Sequence, residues 1–234
     1  DYTAFGLDAI IADTTLGFVP DLENLTKLRI PVIEEISQGL GANTGEHMVG
    51  SYGDATIIDV EPDKMITAGG GTVVLSNSTK RLSVLQQRVD ATAGNLPLPD
   101  MNAAMGLTQI KQIERFLERR QQLGSRLMQA VLKGGNRMVG QTDEAANVLF
   151  QLPVWVDTSI PEVQSFARHQ GVQAEGIGGG TTLEELRETV EIEELIRRYP
   201  NALELAAHVV CFPLFPTLSG REVQHLERVL ASLP

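Results

Sequence analysis

The sequence predicts an α/β fold followed by a smaller α+β domain, and two observations carry this expectation. Up to residue 100, short apolar runs rich in β-branched residues alternate with a helical stretch and glycine-rich turns. Strand, helix, then further strands is the pattern of an α/β sheet with helical crossovers. From residue 102 apolar side chains recur at helical spacing over a long segment, so the chain changes character there. The boundary is expected near residues 95 to 105, dividing a first domain, 1–100, from a second, 101–234.

Each element follows in order. "DAIIADTTLG" reads as a buried strand, Ala9 to Ala12, ending in a turn at Gly17. "PDLENLTKL" has Leu22, Leu25 and Leu28 at helical spacing, with Asp21 as N-cap. "IPVIEEISQGLGA" gives a strand at Pro31 to Ile33 whose end carries Glu34 and Glu35. "DATIIDV" and "GTVVLS" are two further strands. Leu107, Ile110, Ile113, Phe116, Leu117, Leu123, Leu127 and Val131 then line one face of a helix over 102–132, capped by Asp100 or Asn102 and ended by "KGGN". "NVLFQLPVWV" is a strand, and "PEVQSFARHQG" a helix opened by Pro161 and closed by Gly171. "TLEELRETVEIEELIRRYP" is a charged helix, "AAHVVCFPLFP" a strand ended by prolines, and "SGREVQHLERVLASL" a last helix with Ser219 as N-cap.

Composition narrows the function classes. The 234 residues are 42% hydrophobic and 21% charged, ordinary for a globular protein, and the formal net charge is −11. Such a surface repels phosphate backbones and anionic lipid, which argues against nucleic-acid and membrane partners. No apolar run reaches 18 residues, and no signal peptide is readable. Cys211 is the single cysteine and lies in an apolar run, which fits a core thiol in a reducing, cytoplasmic compartment.

Chemistry is concentrated in "DVEPDKMITAGGG", residues 59–71. Lys64 sits between a strand and a glycine run, a place where a lysine can bind a cofactor covalently. In open α/β sheets ligands bind beyond the carboxyl ends of strands, and Glu34, Glu35 and Gln38 follow one such end. The plainer alternative is that these are solvated loop charges. "TAGGGT" and "GIGGGTT" lack the lysine–hydroxyl ending of a P-loop and the dinucleotide fingerprint. His47, His169, His208 and His225 are scattered without metal-ligand spacing.

Three segments carry a resemblance. "PVIEEISQGLGA", "GSYGDATIIDVEPDKMITAGGGTVVLS" and "GNLPLPDMNAAMGLTQIKQIERFLERR", in that order and spacing, resemble the DegT/StrS family of PLP-dependent sugar aminotransferases. The closing "YPNALELAAHVVCFPLFPTLSGREVQHLERVL" is similar to the end of that family's small domain. The resemblance covers nearly all of this chain but only the later part of the family's usual chain. It implies fold type I: a large domain with a mostly parallel sheet, a small C-terminal domain, and a homodimer. It also implies amino transfer between glutamate and a keto-sugar on a nucleotide, with pyridoxal phosphate (PLP) as cofactor. By position, Lys64 matches the lysine that holds PLP covalently, Glu35 the aspartate facing the pyridine nitrogen, and Gln38 the glutamine near the phenolic oxygen. Asp59 falls where a serine binds the phosphate, and Asn95 matches an asparagine that reaches the partner subunit's phosphate.

Several positions depart from the pattern. Glu35 is one methylene longer than aspartate. Asp59 sets a carboxylate against a phosphate, a repulsion of several kcal/mol in a buried site, as an order of magnitude. "GGG" replaces glycine–glutamate–glycine, Pro97 stands for an arginine, and "IGGGTTLEEL" replaces the stretch that faces substrate. Asp59, Glu61 and Asp63 favour the ammonium form of Lys64 over the nucleophilic amine. Two functions stay open: a PLP-dependent nucleotide-sugar aminotransferase with Lys64 as its catalytic amine, or a non-catalytic homologue acting as a dimeric binding or structural module. Weak or absent PLP binding is expected.

Overall fold

A computed structural model of the protein describes residues 6–92, 97–140, 147–177 and 192–234. These divide into two compact units. One runs to Glu118 and regains residues 147–150; the other holds Arg119–Gly140 and continues from Gln151.

In the first unit, β1 (Ile10–Asp13), β2 (Val32–Glu35), β5 (Ala55–Asp59) and β6 (Thr72–Leu75) form a sheet in the order β1-β2-β5-β6. β1, β2 and β5 are parallel, and β6 runs antiparallel to β5. The mostly parallel sheet is therefore as expected. β2 extends further than its apolar run, through Glu34 and Glu35. Glu34 can stay in the strand because it is wholly buried and well bonded. Its carboxylate accepts the backbone N–H groups of Gly50 (2.6 Å), Tyr52 (2.8 Å) and Gly53 (2.6 Å). Three such bonds offset the desolvation of the group and fix the turn that feeds β5. Gly53 is required there, since a Cβ would lie 2.6 Å from the Val32 carbonyl oxygen.

The crossover from β1 to β2 contains α1 (Leu22–Lys27). Asp21 caps it by accepting the Asn24 N–H at 3.1 Å. A short hairpin, β3 (Asn43–Thr44) with β4 (His47–Met48), lies between β2 and β5. Leu22, Val32, Ile36, Ala42, Ile58 and Val60 are among the buried side chains of this unit's core. α2 (Thr79–Ala91) follows β6 and goes beyond the expected elements; it buries no side chain.

The helix expected over 102–132 is two helices, α3 (Asp100–Ile110) and α4 (Ile113–Lys133). The ladder tightens at Lys111 and Gln112, where Gln112 N–H bonds the Gln109 carbonyl three residues back. The two pieces serve different surroundings. α3 packs with the first unit, although a boundary near residues 95 to 105 would assign it to the second domain. α4 buries Leu123, Leu127 and Val131 in the second unit. Asp100 is the first residue of α3 and Pro99 its N-cap, without a side-chain cap bond.

The second unit holds an antiparallel sheet in the order β7-β8-β10-β9, with β7 (Arg137–Met138), β8 (Leu152–Trp155), β9 (Glu175–Gly176) and β10 (Val209–Phe212). α5 (Ile160–His169), α6 (Ile192–Arg198), α7 (Pro200–His208) and α8 (Gly220–Leu230) complete it. Ser219 caps α8 in a reciprocal box with Glu222. Cys211 is buried in β10, and burial pushes its thiol up to about 12, so it is an inert core group. The charged helix expected over "TLEELRETVEIEELIRRYP" lies only partly within the described residues, as α6.

Candidate active site

The parallel register sets Asp13 beside Glu35 at the carboxyl ends of β1 and β2. Asp59 ends β5 on the neighbouring strand. Three acidic side chains thus leave one end of the sheet because each occupies the last position of its strand.

Ser37 ties two of them together. It is buried, and it donates both its hydroxyl and its backbone N–H (3.2 Å) to Oε1 of Glu35. The same hydroxyl oxygen accepts the Asp59 N–H at 2.7 Å. Burial, and then the neighbouring Asp13, push the Glu35 carboxyl above the usual range, while the Ser37 bonds pull the other way. Thr14, also buried, donates its hydroxyl to the Glu35 carbonyl at 3.0 Å and locks β1 to β2 just past their last pair.

Gln38 faces the turn after β1. Its Oε1 accepts the Leu16 N–H at 2.6 Å, which holds Leu16 in a left-handed conformation at φ 59. The amide is used to shape a loop.

Lys64 lies on the loop between β5 and β6. Its Nζ is 3.4 Å from Asp63 Oδ2 and 3.8 Å from Asp59 Oδ2, with 21% of the side chain exposed. The Asp59 carboxylate also accepts the Glu61 N–H at 3.1 Å. Glu35, Ser37, Asp59 and Lys64 therefore form one connected chain of contacts. The loop is pinned at both ends. Val60 N–H bonds the Gly71 carbonyl, and the Val60 carbonyl receives the N–H groups of Ala68 (2.8 Å) and Gly70 (3.2 Å). Three successive glycines at φ 78, 134 and 104 make that return possible. α3 clamps the loop from the side: Gln109 exchanges two bonds with Thr67, at 3.1 and 2.8 Å, and Asn102 donates to the Ala68 carbonyl at 2.5 Å.

Of the residues singled out from sequence, Glu35, Asp59 and Lys64 come together, Gln38 supports the adjoining turn, and Asn95 lies outside the described residues. Ser37, Thr14, Asn102 and Gln109 are the additions. Their only sequence signal is a polar side chain at a buried or half-buried position, which becomes visible once the partners are known. Glu34 is a scaffold group rather than a site group. Among the described residues no cluster of His, Cys, Asp or Glu could hold a metal.

The donor set can be tested against PLP. An amine and a strand-end carboxylate suit covalent attachment and a pyridinium nitrogen. The phosphate contact does not fit: Asp59 and Asp63 lie 3.8 and 3.4 Å from the Lys64 ammonium group, so a phosphate beside Lys64 would meet two carboxylates. The arrangement holds a lysine in an ion pair and disfavours a dianion beside it.

The profile of the DegT/DnrJ/EryC1/StrS aminotransferase family matches residues 7–232. A UDP-4-amino-4,6-dideoxy-N-acetyl-beta-L-altrosamine transaminase of Campylobacter jejuni is 30% identical over 120 residues, covering 45% of this chain and 32% of the relative. A GDP-perosamine synthase of Escherichia coli O157:H7 is 23% identical over 236 residues, covering 93% of this chain and 63% of the relative. This chain thus matches less than two thirds of either relative's length. An aminotransferase from Psychrobacter cryohalolentis superposes with a TM-score of 0.78 at 20% identity, over 95% of this chain and 67% of the other. Helicobacter pylori PseC, an aminotransferase involved in pseudoaminic acid biosynthesis, gives 0.81 at 14% identity, over 95% and 66%. At these identities the structures speak to the fold alone.

Proposed function

The chain belongs to the DegT/DnrJ/EryC1/StrS aminotransferase family, and from that premise we propose that it is an aminotransferase-like protein of the nucleotide-sugar type whose lysine site is altered against PLP. The family's chemistry is that of PLP, which supplies an electron sink for amine transfer when it is bound. The observation that carries the reading is the pairing of Lys64 with Asp59 and Asp63. Carboxylates there pair with the amine and repel a phosphate. The residues around Lys64 hold it in place; no chemical step is assigned to it in this state. The proposed setting is a cytoplasmic homodimer with a nucleotide-sugar ligand. The apolar side chains exposed on β6 and α2 support association. No helix among the described residues is long and apolar enough to cross a membrane.

A spectrum tests the reading. The protein incubated with PLP is expected to show little of the visible absorbance of a lysine adduct, and borohydride is expected to trap little PLP on Lys64. Asp59→Ser is expected to increase both, because it removes the carboxylate and restores a hydroxyl donor. Stoichiometric PLP on Lys64 of the natural chain would establish the alternative, an active PLP enzyme.

A further inference from the structure

At the opposite end of the first sheet from Lys64, where β2 and β5 begin, lies a cavity of about 390 Å³. That is room for a small ligand. Arg29, Arg81 and Asp54 are its charged lining, and Tyr52, Ile30 and Pro31 are among its less polar lining. The lining carries two positive charges and one negative, on a chain whose net charge is −11.

Both arginines stand where local rules disfavour them. Arg29 directly follows Leu28, the C-cap of α1, and has a positive φ of 58. A left-handed residue past a helix end is ordinarily glycine, and any other side chain there strains the backbone. Arg29 has no ion pair among the described residues. Arg81 lies in the first turn of α2, which carries no acidic residue and also holds Lys80. Cations are unfavourable at that end of a helix, and an anion is favourable. Two independent local conflicts that meet at one cavity are the kind of exception a binding site produces.

Asp54 orients Arg81 without using up its donors. One carboxylate oxygen pairs with Arg81 Nη2 at 2.5 Å, and the other accepts the Val32 N–H at 3.1 Å. A guanidinium has five N–H donors, so most of Arg81's remain. The Tyr52 hydroxyl donates to the Thr44 carbonyl at 3.0 Å and is therefore already engaged. We propose that this cavity binds a small phosphate-bearing molecule, its phosphate held between Arg29 and Arg81 and its body against Tyr52. A tetrahedral phosphate has enough acceptor oxygens to take guanidinium forks from two separate segments at once, which a two-oxygen carboxylate does not. The site is separate from Lys64 and independent of whether PLP binds there.

Calorimetric titration with inorganic phosphate, and with acetate as the carboxylate control, tests the proposal on the natural chain and on Arg29→Gly and Lys64→Ala. Arg29→Gly removes the charge and relieves the left-handed strain, so its melting temperature is expected to be unchanged or raised. Its phosphate affinity is expected to fall about 10-fold or more, the loss of one charge-assisted fork. Lys64→Ala is expected to bind phosphate as the natural chain does. The proposal is overturned if Arg29→Gly binds phosphate undiminished, if Lys64→Ala abolishes binding, if acetate binds and phosphate does not, or if the natural chain gives no heat at ~10 mM phosphate.

Discussion

Glu35 is the residue whose environment departs most from that of a surface carboxylate at this site. Burial, then Asp13, raises its pKa above the ordinary 4.5, against the two Ser37 bonds. The consequence for stability has a definite sign. A carboxyl with a raised folded pKa binds more protons folded than unfolded above pH 4.5, so folding stability falls as the pH rises through that interval. Glu35→Gln removes this dependence. Urea unfolding of both proteins from pH 4 to 7 is expected to show the variant gaining on the natural chain as the pH rises. A constant difference would mean that Glu35 titrates normally. Glu222 and Glu227 have lowered pKa values, through Ser219 and Arg126 respectively, and work in the opposite direction. Both variants share them, so the difference isolates Glu35. At this scale the sequence marked the acid and missed what holds it, because Ser37 looks like any polar residue after a strand.

The element that matters most is the loop from Val60 to Gly71. It carries Lys64 and closes on itself through the Val60 carbonyl, with α3 fastened to its flank. Gly70 sits at φ 134, and a Cβ built there meets nothing within 4 Å. Gly70→Ala therefore tests backbone strain without a clash. Its expected cost is about 1–3 kcal/mol in urea unfolding. The amides of residues 60–71 are expected to lose hydrogen-exchange protection first. A variant as stable as the natural chain would show that the loop can rearrange freely. The break between α3 and α4 follows the helix that clamps this loop. The apolar spacing runs through Lys111 and Gln112 without interruption, so periodicity alone reads one helix. The helix breaks between a stretch whose Asn102 and Gln109 bond Ala68 and Thr67 in the first unit and a stretch whose Leu123, Leu127 and Val131 are buried in the second.

For the whole molecule, the apolar surface that favours association lies on β6 and α2. Val73, Val74, Leu75, Leu82, Val84, Leu85 and Val89 are all exposed by 36% or more. Among the described residues β6 is also an edge strand with an unpaired side, a surface that proteins rarely leave uncovered. Sedimentation velocity at micromolar concentration is expected to show a dimer, and Val84→Glu is expected to shift it toward monomer by placing a charge in an apolar contact. A natural chain that stays monomeric would count against this arrangement. By itself the sequence determined what is local and periodic. That includes the longer strands β1, β2, β5, β6, β8 and β10, the Asp21 and Ser219 caps, and the buried Cys211. These follow from side-chain spacing and backbone preference within a few residues. Only the tertiary structure decided that Glu34 is a buried anchor, that Ser37 joins Glu35 to Asp59, that α3 clamps the lysine loop, and that Arg29 and Arg81 share a cavity. The hydrogen bonds among these join residues as much as 42 positions apart, as between Thr67 and Gln109. Nothing in local chemistry distinguishes such a partner until folding brings it within hydrogen-bond reach.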